Sequence, residues 1–180
     1  MRIEQLCREF DLTLRWTVFP LHPDTPLAGR ALSDLFAGQM DVPKVMAGLK
    51  DLAESLGLSF ATRTHTYNSR RAQELGKWAE QQGQGDAFRD AVYSAYFAEG
   101  KNIANLDELT AICKSLDLSQ RDALQVLEEG HFAKAVDVDW KRARTIGVSS
   151  VPTHVYENRS LVGFQEYSVF QQLIRGRSLL

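Results

Sequence analysis

The sequence is poor in cysteine, with only Cys7 and Cys113 among 180 residues. They lie far apart and form neither a Cys-x-x-Cys pair nor a metal-ligand pattern. A disulfide scaffold is therefore excluded, and a reduced, cytoplasmic chain is the expectation. Blocks of one charge sign are also missing. The 21 basic and 23 acidic residues are interleaved and leave a formal net charge of −2. No electrostatic footprint for nucleic acid or an anionic membrane follows. No apolar run approaches the roughly 20 residues of a membrane span. The opening "MRIEQLCREF" lacks the apolar stretch and small-residue cleavage site of a secretory signal. His22, His65, His131 and His154 show no ligand spacing, so no metal is expected. Internal repeats and low-complexity segments are absent as well.

What remains is ordinary globular material, 44% hydrophobic and 24% charged. A chain of this length can bury a useful core. Ile3, Leu6 and Phe10 fall at helical spacing. In "DLTLRWTVF", Leu12, Leu14, Trp16 and Val18 alternate, which predicts a strand over residues 12–19. "PLHPDTP" puts three prolines in seven residues and reads as a loop. From about Gly29 to Gly147 the period is helical throughout. Asp41 caps a helix with Pro43 in its first turn and an apolar stripe at Val45, Leu49, Leu52 and Leu56; Gly57 ends it. Asn68 or Ser69 caps the next helix. Asn105 and Ser119 open two more in capping-box form. A last helix of this block runs from about His131 to Ile146. Then "THVYE" and "SLVGF" read as strands around an "NR" turn, and "QEYSVFQQLI" closes as an amphipathic helix. The order predicts one α/β sheet, residues 12–19 beside the hairpin, with an all-helical lobe inserted.

One feature of "GVSSVPTHVY" stands out: Pro152 sits at the mouth of a strand, where a ladder N–H is lost. A cis Val151–Pro152 bond reconciles the two, since cis costs only about 0.5–1 kcal/mol before proline. It also leaves the backbone of Val151 facing outward as a short edge.

These residues carry a resemblance. "TIGVSSVPTHVYENRSLVGFQEYSVFQQLI" resembles the C-terminal part of DsbA-family thioredoxin-fold oxidoreductases, especially the FrnE-like branch. "LRWTVFPLHPDTP", "YNSRRAQELGKWAEQQG" and "AYFAEGKNI" resemble further stretches of that family, from about Met1 to Ile174. The resemblance implies an α/β, thioredoxin-like (DsbA-like) fold with a large helical insertion. The thioredoxin-like part would be residues 1–26 and 135–180, and the insertion 27–134. Val151 and Pro152 would bind substrate, a protein or small-molecule disulfide. Asn68 and Ser69 would line a cleft. Phe164 and Gln165, ahead of the last helix, would help hold a glutathione carboxylate. Glutathione is thus implied only as a substrate or ligand, with no resident cofactor.

The family's first strand and its Cys-x-x-Cys (or Ser variant) have no counterpart here. Met1 already falls inside the helix that follows them, and Cys7 lies well along it, beyond the reach of the helix dipole. No catalytic residue is therefore assigned, and a misplaced start is the expectation. With a central strand missing, a homodimer or a remodelled sheet is expected. Two other readings share the fold: a glutathione-dependent isomerase of the 2-hydroxychromene-2-carboxylate type, and a non-catalytic binding or assembly module. Otherwise Cys7 and Cys113 read as small buried apolar residues. "YSAYFAEG" reads as a buried helix face.

Overall fold

The computed structural model describes residues 2–176. In chain order the elements are α1 (Arg2–Phe10), β1 (Arg30–Ala31), α2 (Leu32–Phe36), α3 (Val42–Ser55), β2 (His65–Thr66), α4 (Arg70–Gln81) and α5 (Gly85–Tyr93). A π turn (Ser94–Ala98), α6 (Leu106–Ser115), α7 (Gln120–Glu128), α8 (Ala133–Thr145), β3 (Thr153–Tyr156), β4 (Arg159–Val162) and α9 (Tyr167–Arg175) follow. They form two compact units, one from Met1–Leu21 and Val138–Leu180, the other His22–Asp137.

The helical unit is built on local rules. Asp41 accepts from the Lys44 amide, Asn105 from Asp107 and Ser119 from Asp122, each answering an orphan N–H of a first turn. At α4 it is Asn68, not Ser69, whose side chain takes the Arg70 amide, at 2.8 Å. Ala72, Leu75, Trp78 and Ala79 recur at 3.6-residue spacing on α4 and are all buried. They meet Phe88 and Val92 of α5, Leu109 and Cys113 of α6, and Ala123 and Val126 of α7. Each large side chain buried here stabilises the fold by about 1.5–3 kcal/mol.

The hairpin unit has a smaller core. Leu6 of α1, Leu161 of β4, and Phe170 and Leu173 of α9 are buried together. The His154 ring meets the Phe170 ring edge-on at 4.8 Å. β3 and β4 are antiparallel, with Thr153 opposite Val162 and Tyr156 opposite Arg159.

Several expectations are corrected. Residues 12–19 form no strand, although their alternation suits one. A ladder needs a partner, and none pairs there among the described residues. Leu14 and Trp16 stay exposed, and the Val18 amide is taken by the Asp139 carboxylate at 3.2 Å. The predicted single sheet is accordingly replaced by two two-stranded ones. One of them, β1 with β2, interrupts the block read as wholly helical. The hairpin turn is Glu157–Asn158, one residue earlier than read. Glu157 takes φ +55° there, so Arg159 joins the strand and pairs back to Glu157 at 2.9 Å. "YSAYFAEG" is not a wholly buried face: the π turn widens the helix and leaves Tyr93 and Phe97 exposed.

Candidate functional site

The hairpin supplies the site's backbone. In a two-residue hairpin the pair flanking the turn is hydrogen-bonded, and the pattern then alternates. Tyr156 and His154 therefore turn their main-chain groups toward β4. The Gly163 amide donates to the Pro152 carbonyl at 2.8 Å and extends the ladder by one step. The same alternation turns the N–H and C=O groups of Thr153 and Val155 the other way. No strand pairs with that edge among the described residues. The Val151–Pro152 peptide is cis, and the Val151 side chain is 48% exposed. Thr153 is fixed beside it by a hydrogen bond from its hydroxyl to the Ser150 carbonyl, 2.6 Å.

Side chains sort by the same period of two. His154 faces Phe170 and the core. Val155 and Val162, on the opposite face, are exposed. Burial holds the His154 imidazole below its ordinary pKa, partly offset by a backbone hydrogen bond with Leu161. Its Nδ1 is buried and unpartnered.

The turn after β4 is pinned from α1. The Arg2 guanidinium donates to the Gln165 carbonyl, lies 4.3 Å over the Phe164 ring and reaches Glu166 at 3.4 Å. The Gln165 side chain donates back to Val162 O at 2.9 Å. Val151, Pro152, Phe164 and Gln165 are thus tied together through the Pro152–Gly163 bond. Nothing in the sequence near residue 165 announced Arg2; its contact spans the chain.

Asn68 and Ser69 belong to the helical unit and are engaged there. Asn68 Nδ2 donates to Thr25 O at 2.7 Å and Pro23 O at 3.3 Å, clamping the proline-rich loop. The Ser69 hydroxyl accepts from Gln73 at 3.0 Å. An open groove of about 580 Å³ in this unit is lined by Arg71, Glu74 and Glu128 with Leu106, Leu124 and Leu127, none of them a residue the sequence singled out.

Neither thiol fits a nucleophile. Cys113 has no exposed surface, and burial pushes it up to about 11. A thiolate there is scarce at neutral pH. Cys7 sits in the sixth position of α1, past the helix's positive end. Among the described residues no cluster of His, Cys, Asp and Glu could hold a metal ion. No helix among them is long and apolar enough to cross a membrane.

Comparisons with known proteins bear on the fold. The structure of a probable DsbA oxidoreductase from Streptomyces coelicolor superposes with TM-score 0.75 at 22% identity, covering 89% of this chain and 74% of that one. A 2-hydroxychromene-2-carboxylate isomerase superposes with TM-score 0.71 at 19% identity, covering 97% and 84%. No curated protein matches the chain. The family model for the DSBA-like thioredoxin domain matches residues 1–175, and the chain belongs to that family.

Proposed function

We propose that this chain is a DsbA/FrnE-like member that docks disulfide-bearing peptides or small disulfides on the outer edge of β3 and does not itself carry out the exchange. The observation that carries the reading is the unpaired edge: Thr153 and Val155 offer main-chain groups beside an exposed Val151. Such an edge takes an extended peptide by strand addition. Thiol–disulfide exchange needs an accessible thiolate, and Cys113 cannot supply one. The isomerase reading is less well supported. Glutathione would bring a carboxylate to the start of α9, where the N-cap residue Glu166 already adds a negative charge and reaches the nearby Arg2 at 3.4 Å. A cytoplasmic location and a homodimer remain part of the proposal.

The test is an amide chemical-shift titration with a short peptide that contains a disulfide. The expected result is movement of the Thr153 and Val155 amides. Val155→Pro removes one edge N–H, leaves the β4 ladder whole, and should weaken the response at Thr153. Unmoved edge amides at millimolar peptide would end the docking claim. Insulin reduction by this chain would end the claim that it is non-catalytic.

A further inference from the structure

We propose that Arg63 is the cationic centre of an anion site in the helical unit, one that takes a carboxylate carried on a flat apolar body. The proposal does not rest on the docking reading of the β3 edge. The guanidinium carbon lies 4.3 Å from the centre of the Tyr96 ring, 5.0 Å from that of Phe97 and 5.9 Å from that of Phe60. All three are within reach of a ring's attraction for a cation. The rings cover its faces and leave its edge, where the N–H donors point, unanswered. Nε is sealed from water with no acceptor. The two Nη groups also lack an acceptor among the described residues, but they are not sealed.

This sets Arg63 apart. Every other partly buried arginine among the described residues gives its edge to an oxygen. Arg2 donates to Gln165, Arg30 to Asp24, Arg70 to Glu74, Arg71 to Ala104, Arg89 to Asp86 and Arg159 to Glu157. A guanidinium cannot shed its proton to escape the cost of burial, so a sealed donor without an acceptor needs a reason. The surroundings are also fixed in advance. The Phe97 carbonyl, in the π turn, accepts the Ala61 amide at 2.8 Å and ties the loop bearing Phe60 and Arg63 to that turn. The Tyr96 and Thr66 hydroxyls share a hydrogen bond at 3.2 Å, which holds the Tyr96 ring. Single π turns of this kind recur at functional sites.

The chemistry selects the ligand. One fork of donors matches a carboxylate, two N–H groups to two oxygens. A phosphate dianion would keep charge uncompensated, because no second cation lies over these rings among the described residues. The acid at the end of the π turn does not fill the place: Glu99 is held by Lys101 at 3.0 Å. The body of the ligand is read from what stays bare. Phe97 is 37% and Tyr93 50% exposed, and their rings meet edge to face at 5.9 Å. Bare rings beside the fork take a flat apolar group by stacking. A carboxylate brought against them loses water, which strengthens its bonds to the fork.

Benzoate is the probe, followed through the arginine side-chain and backbone amide resonances. The expected result is saturation with a midpoint of about 1 mM, with shifts at Arg63, Tyr96 and Phe97. Acetate, which lacks the ring, and benzyl alcohol, which lacks the charge, should each bind at least about tenfold more weakly. Arg63→Gln should abolish saturation. Arg63→Lys, which keeps the charge and loses the fork, should weaken it about fivefold to tenfold. Phe97→Leu should weaken benzoate and leave acetate unchanged. Circular dichroism matching the parent chain shows that each variant is folded. Benzoate that fails to saturate the parent chain by about 50 mM overturns the proposal without any variant. So does benzyl alcohol that binds as well as benzoate, which would leave only an apolar patch. Shifts that fall elsewhere on the chain and spare Arg63 overturn it too.

Discussion

Replacing Arg70 by alanine tests how the helical unit holds its one deeply placed carboxylate network. Arg70 Nε meets Glu74 Oε1 at 2.5 Å, Nη1 meets Asp137 at 2.6 Å, and Nη2 donates to the Ala133 carbonyl at 2.9 Å. The three arms are unequal. The Asp137 side chain is 63% exposed, so water screens that pair, and such pairs are worth about 0–1 kcal/mol. Glu74 is 7% exposed and would be left as a buried charge without its cation. Stranding a buried partner costs about 3–5 kcal/mol; the residual exposure of both side chains puts the expectation near the low end. Arg70→Ala should therefore destabilise by about 3 kcal/mol, read as a drop in the urea midpoint at constant slope. In a chain of this length that is a melting temperature lower by about 6–12 °C. Arg70→Ala with Glu74→Leu should recover much of the loss, because the charge left stranded is gone. Asp137→Ala should cost under 1 kcal/mol. A loss below 1 kcal/mol for Arg70→Ala, or no recovery in the double variant, would refute the claim that burial of Glu74 sets the magnitude.

Two further outcomes follow from the titratable groups. His154 is held below its ordinary value of 6.5 by burial, so the unfolded chain binds its proton more readily than the folded one. Stability is then complete above pH 6.5 and declines as pH falls below it. His22, lowered by burial and by Arg30, acts in the same sense. Urea midpoints at pH 7.5 and 5.5 should show the drop, and His154→Phe should reduce it; a flat profile would contradict the buried Nδ1. Cys113, without exposed surface and raised to about 11, should resist a thiol reagent at pH 8 until urea unfolds the chain. Two fast-reacting thiols in the native protein would contradict its placement.

Much of this fold is legible in the sequence because its causes are local. The caps Asp41, Asn105 and Ser119 act on amides two or three residues away. The stripe on α4 declares its own period. Strand pairing is different in kind. The alternation of Leu12, Leu14, Trp16 and Val18 states which faces a strand would have, not that a neighbour exists to bond it. The two-residue ladder Arg30–Ala31 with His65–Thr66 is too short to carry a period at all. Residue type points to Asn158 as the first turn residue, whereas the turn begins one residue earlier at Glu157, which takes the positive φ. Arg2 over Phe164 and Asp139 on the Val18 amide join residues more than a hundred apart. The α3 stripe shows the remaining limit: spacing defines the face, and only coordinates show it uncovered.

The open edge of β3 also bounds how tightly it can hold a ligand. The outward N–H and C=O groups of Thr153 and Val155 offer about four main-chain hydrogen bonds, with Val151 beside them. Each is worth about 0.5–1.5 kcal/mol net of water, or about 2–6 kcal/mol together. Association alone costs about 4–15 kcal/mol. The exposed Val155 and Val162 face adds apolar contact, but not enough to reach nanomolar affinity. Docking on this edge, as proposed, would therefore be weak in free solution. It becomes effective when the substrate is already tethered, as in a mixed disulfide, because the second contact is then intramolecular. On the proposed docking reading, the edge would set a substrate's direction and register, and the strength of holding would come from a covalent link made elsewhere. A disulfide peptide that bound this chain tightly without such a link would mean that a pocket beyond the β3 edge carries the affinity.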